Sequence, residues 1–156
     1  MVNRPKQIGT KAESAVVAAC KRLGYPDAYR RTQTGSQDQG DIVLCANTII
    51  EVKGGHAAWD ASTGQIDKWL EETGKEVVNA NAIYGFLVVQ RKGVGHQNAD
   101  QWWAYTPLTV GTHMNLVVGY PGYPMLDTSP CITIRTTLQQ MLTIYTAAGR
   151  SPERKP

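Results

Sequence analysis

The chain lacks any apolar run long enough to enter a bilayer. Its longest, Ala15 to Cys20, falls far short of the roughly 18 to 20 residues that a crossing helix needs, so no transmembrane span and no membrane partner are expected. The segment Met1 to Gln7 carries basic side chains but no apolar stretch behind them, which argues against a secretory signal and for a cytoplasmic protein. Cysteine is scarce as well: Cys20, Cys45 and Cys131 lie far apart and none belongs to a C-x-x-C pair. That excludes a zinc knuckle or a dithiol redox motif and leaves the three as small buried hydrophobes. The histidines, His56, His96 and His113, stand at no zinc-ligand spacing from a cysteine. Any metal is therefore expected on oxygen ligands. No internal repeat and no low-complexity block is present, and no nucleotide cofactor is expected.

What is there suits one compact domain: 156 residues, 42% of them apolar. Residues 1–148 are expected to form it, with 149–156 a flexible C-terminal tail. The 16 basic and 13 acidic residues are unevenly spread. Arg4, Lys6, Lys11, Lys21, Arg22, Arg30 and Arg31 face only Glu13 and Asp27 up to Gly35, which leaves the remainder net negative. A basic N-terminal third fits a polyanionic partner such as nucleic acid, although solvated surface charge gives the same count.

Thr10 to Leu23 reads as a helix capped by Thr10, with Glu13 at capping-box spacing and Gly24 as its stop. Ala28 to Thr34 reads as a short strand before the polar loop Gly35 to Gly40. Asp41 to Leu44 and Thr48 to Lys53 are β-branched runs separated by Cys45-Ala46-Asn47, a tight antiparallel hairpin in which Asn47 accepts positive φ. In that register Asp41 lies opposite Glu51, and alternation puts Glu51 and Lys53 on one face with Ile50 and Val52 on the other. Ser62 to about Asn79 is a long amphipathic helix, and Ile83 to Gln90 a buried strand. Strands are also expected at Trp102 to Tyr105, Asn115 to Val118 and Cys131 to Thr136, with a closing helix over Thr137 to Ala148. The order describes an α/β protein with a mixed central β-sheet flanked by helices.

Asp41, Glu51 and Lys53 share one face of an otherwise apolar hairpin, where ionisable groups are expensive unless paired or bound to metal. A salt-bridge patch on a solvated sheet face would satisfy the same spacing. Glu13, three and four residues before Val16 and Val17, projects close to the apolar stripe of its helix, or else closes the capping box on Thr10.

Taken together, Gly9-Thr10-Lys11-Ala12-Glu13, Arg30-Arg31, Ser36, Gly40-Asp41-Ile42-Val43 and Ile50-Glu51-Val52-Lys53 resemble the PD-(D/E)xK nuclease superfamily, most nearly its Holliday junction resolvase branch of archaeal type and similar phage enzymes. The resemblance covers about residues 8–92. Gly40 stands where a proline often precedes the aspartate. The resemblance implies a restriction-endonuclease-like core and a DNA endonuclease whose helix glutamate, aspartate and Glu-x-Lys are Glu13, Asp41, Glu51 and Lys53. Phosphodiester hydrolysis needs a hard cation, a positioned water and a cation near the attacking oxygen. Asp41 and Glu51 would hold Mg²⁺, with Mn²⁺ as a substitute, beside the Val52 carbonyl, and Glu13 would bind directly or through water. Lys53 would orient or deprotonate the water, or stabilise the phosphate in the transition state. Products with 5′-phosphate and 3′-hydroxyl ends are implied.

Gln65 faces the site in many such nucleases, yet Ser62-x-x-Gln65 is also a capping box. Thr34 and Ser36 are candidate phosphate contacts or ordinary turn residues. Lys11, Arg30, Arg31, Arg91 and Lys92, with Arg4 and Lys6, are candidate DNA-backbone contacts. Trp102 and Trp103 point to opposite faces and suit core packing or a dimer interface better than base stacking, and His56 reads as a surface histidine. The expected partners are four-way DNA junctions, whose two-fold symmetry implies a homodimer. Two alternatives keep the same residues: a nicking, restriction-like or repair nuclease on linear or flapped DNA, and a non-catalytic nucleic-acid-binding module.

Overall fold

The structure, a computed structural model, describes residues 4–32, 35–110, 116–118 and 131–148. Helix α1 spans Arg4–Arg22. It starts ahead of the expected Thr10, because Pro5 in a first turn surrenders no N–H that the helix needs. Thr10 is thus interior, its carbonyl accepting the Ser14 hydroxyl at 2.8 Å, and the expected Thr10–Glu13 capping box is absent. The buried stripe Ala12, Val16, Ala19 and Cys20 falls at helical spacing and turns toward the sheet.

Strand β1 is only Tyr29–Arg30, shorter than the Ala28 to Thr34 expected. Strands β2 (Ile42–Cys45) and β3 (Thr48–Lys53) form the anticipated hairpin, with Ile42 opposite Ile50 and Val43 opposite Ile49. A bulge between Val43 and Cys45 shortens the turn to Ala46-Asn47, and Asn47 takes φ 62°. The one-turn helix α2 (His56–Trp59), not anticipated, is followed by α3 (Thr63–Asn79). Helix α3 is the crossover to β4 (Tyr84–Val89), which runs parallel to β3 as a βαβ connection requires. A 3₁₀ turn at His96–Gln101, also unanticipated, leads to β5 (Trp103–Val110). Strands β6 (Leu116–Val118) and β7 (Cys131–Thr137) and helix α4 (Leu138–Ala147) complete the described chain.

The seven strands form one mixed sheet. Strand β7 pairs along β5 from Trp103 to Thr109, while β4 and β6 pair with the two ends of β5. The later part of the chain therefore builds on the same sheet as the hairpin. On one face, Ile42, Leu44, Ile50, Val52, Phe86, Val88 and Ala104 meet α1, α4 and the fully buried Trp102 in the main core. On the other, Leu87 and Val89 meet Ile66 and Leu70 of α3, and Ile49 meets Val77. Each such aliphatic side chain contributes about 1.5–3 kcal/mol of burial. A Cβ on Gly85 would stand 2.3 Å from Val77 Cγ2, so this glycine lets α3 settle onto the sheet. Among the described residues no helix is long and apolar enough to cross a membrane. Thr34 and the tail 149–156 lie outside the described residues.

Candidate active site

Alternation along the hairpin sends Ile50 and Val52 into the main core and turns Glu51 and Lys53 to the α3 side of the sheet. Asp41, just before β2, is held by three backbone contacts: its N–H donates to the Ile50 carbonyl at 3.2 Å, its carbonyl accepts the Arg31 N–H at 2.8 Å, and its Oδ2 accepts the Val52 N–H at 2.8 Å. In an extended strand a residue's N–H and C=O share an edge, so the Val52 carbonyl also lies on the Asp41 side. Gly40 precedes Asp41 with φ 82°, and a Cβ there would stand 2.7 Å from Ile49 Cδ1. Proline, fixed near φ −65°, has no place in that turn.

Lys53 Nζ donates to Glu51 Oε1 at 2.7 Å, lies 3.5 Å from Glu72 Oε2, and sits 5.9 Å from the Trp69 ring centroid. Glu51 is 5% exposed, and its Oε2 has no hydrogen-bond donor among the described residues. Burial, then the Glu51 charge and, more weakly, Glu13, push the Asp41 carboxyl up to about 8, against the Val52 hydrogen bond. Burial likewise pushes Glu51 up to about 8; Lys53 opposes the rise and Glu76 adds to it. Partial burial pulls on the Lys53 ammonium, but Glu51, Glu72 and Glu76 outweigh it and leave its pKa raised. Lys53 is thus a firm cation near neutral pH, suited to positioning and charge stabilisation rather than to removing a proton from water.

Glu76 is the acid that the sequence did not reveal. It is buried, its Oε2 has no hydrogen-bond donor among the described residues, and burial raises it to about 7 although a hydrogen bond with Glu51 lowers it. Gln65, Trp69, Glu72 and Glu76 recur at helical spacing along one stripe of α3. Glu72 and Glu76 reach Lys53 and Glu51, whereas Gln65 lies about 10 Å further along the helix from Glu72. Its backbone N–H donates to the Ser62 hydroxyl at 3.2 Å, the N-cap half of the expected box, and among the described residues its side chain makes no hydrogen bond to Asp41, Glu51 or Lys53.

Glu13, released from capping, is turned toward Arg30, whose Nε donates to its Oε2 at 2.7 Å. Arg30 is therefore engaged within the protein. Arg31 is too: it donates to Gln39 Oε1, while Asn79 ties the Asp38 carbonyl to the end of α3 at 2.8 Å. Lys92 pairs with Asp60 at 2.9 Å on the surface. Lys11 and Ser36 are exposed, and Arg91 stacks on Trp103 at 4.3 Å from the ring centroid.

Among the described residues, no three His, Cys, Asp or Glu side chains are gathered as a metal-donor group. Among the acids, Glu51 approaches both Asp41 and Glu76. Half-buried Asp41 and buried Glu51 are each raised by desolvation and by a neighbouring acid, and Glu51 Oε2 has no hydrogen-bond donor among the described residues; such a pair fits a hard divalent cation that would relieve both penalties. Compared with known proteins, the chain matches no family model, no curated protein and no solved structure.

Proposed function

We propose that the protein is a metal-dependent endodeoxyribonuclease of restriction-endonuclease-like architecture, acting on branched DNA and most directly on four-way junctions. The observation that carries this is the juxtaposition of Asp41, Glu51 and Lys53 on one face of the β2–β3 hairpin, with Asp41 locked by the Val52 N–H and Lys53 by Glu51. Asp41 and Glu51, with the Val52 carbonyl on the Asp41 side, would hold Mg²⁺. That ion supplies charge neutralisation at the phosphate and a more acidic bound water. Lys53, fixed as a cation, stabilises negative charge developing on the phosphoryl oxygens. Trp69 of α3 flanks the site, its ring centroid 5.9 Å from Lys53 Nζ. Glu13, held by Arg30 close enough to act on the Asp41 charge, belongs to the outer electrostatics of the site.

A four-way junction is two-fold symmetric, and matched nicks in two strands need two such sites, so the active species is a homodimer. Labelled four-way junction, flap and linear duplex in Mg²⁺, Mn²⁺ or EDTA, with Asp41→Asn alongside, test the proposal. Paired metal-dependent nicks in the junction, absent in the variant, are expected. Equal cutting of all three substrates refutes the junction preference, and binding without cutting in either metal refutes the enzyme.

A further inference from the structure

Away from the carboxylates, the same sheet face carries a second cationic feature. Lys53 is in register with Val89 of β4, and Val89 with Trp103 of β5, so Trp103 lies two strands, or about 10 Å, across the sheet from Lys53. The Trp103 ring leans on the Leu87, Val89, Ile66 and Leu70 cluster beneath α3. Over that ring lie two guanidinium groups: Arg91, just past β4, at 4.3 Å from the centroid, and Arg135 of β7 at 4.6 Å. Arg135 is exposed and Arg91 half-buried. Among the described residues neither arginine forms an ion pair, whereas neighbouring Lys92 is neutralised by Asp60.

Two like charges drawn onto one aromatic ring with no ion-pair partner among the described residues repel, unless an anion completes the group. Stacking fixes each planar guanidinium while leaving its N–H edge available, the geometry that suits phosphate oxygens. With its ring occupied by guanidiniums, Trp103 serves as their scaffold rather than as a surface for a base. We infer that Arg91, Trp103 and Arg135 form a phosphate-binding platform that holds the nucleic-acid backbone as it leaves the Asp41–Glu51 site. The inference rests on the nuclease proposal for the identity of the polyanion.

The test measures affinity for fluorescein-labelled four-way junction by anisotropy in EDTA across a salt series, with circular dichroism and melting as fold controls. Arg91→Gln/Arg135→Gln is expected to bind at least tenfold more weakly at about 0.1 M salt, with a log–log salt slope shallower by about 0.9 per lost phosphate contact. Trp103→Leu, which keeps both charges, is expected to weaken binding with little change in slope. Arg91→Lys/Arg135→Lys is expected to keep the slope. Unchanged affinity and slope in the Gln variant overturn the platform, even if the wild type cuts junctions in Mg²⁺; so does a wild type that binds no DNA. A shallower slope in a protein that cuts nothing in any metal supports the platform and refutes the nuclease.

Discussion

Raising the pH of the metal-free protein from 5 to 7 should destabilise it, because Asp41, Glu51 and Glu76 all have folded-state carboxyls well above the ordinary range, at about 8, 8 and 7. Unfolded, these groups titrate near 4. Between those limits the native state binds more protons than the unfolded one, so stability falls as pH rises. The contribution is complete below the unfolded values and is lost as pH climbs through the folded ones. One extra native proton gives a slope of about 1.4 kcal/mol per pH unit, or about 3 kcal/mol over two units. The three acids are coupled, so that uptake belongs to the cluster rather than to any one residue. For a chain of this size it lowers Tm by about 6–12 °C. Thermal melts in EDTA, followed by circular dichroism, read it directly. Asp41→Asn/Glu51→Gln, which removes the titrating pair, should flatten the pH dependence, and Mg²⁺ should restore more stability at pH 8 than at pH 5. A wild-type Tm that is level or rises from pH 5 to pH 7, or a double variant with the same slope, would refute the burial and charge coupling of the cluster.

Two further perturbations probe the same framework. Lys53→Met strips the ammonium from Glu51 and should abolish cleavage while lowering stability by about 2 kcal/mol at pH 8, less at pH 6 where Glu51 takes up a proton; urea denaturation at both pH values checks the difference. Gly85→Ala forces a methyl group against Val77 and should lower stability by about 1–3 kcal/mol, seen as a reduced urea midpoint with unchanged metal binding.

The hairpin was legible because period-two alternation and a residue tolerant of positive φ left few registers, and Asn47 and the Glu51–Lys53 face follow from that. Asp41 was legible for the same reason: its place opposite Glu51 is a consequence of the register. The start of α1 was misjudged because Thr10 and Glu13 imitate a cap, while Pro5 is equally at home in a first turn. That error hid the Glu13–Arg30 pair, which depends on a helix face meeting β1, a tertiary fact. Glu76 was missed because an acid on an amphipathic helix ordinarily faces water, and only the docking of α3 over β3 buries it. The stacking of Arg91 and Arg135 likewise joins a residue just past β4 to one on β7, and the two share no local pattern.

The most direct test of the cation site is anomalous diffraction from crystals grown with Mn²⁺ near pH 8. The account predicts manganese between the Asp41 and Glu51 carboxylates, lost in Glu51→Gln. Manganese bound elsewhere, or none there in a protein that still cuts DNA with Mn²⁺, would contradict it.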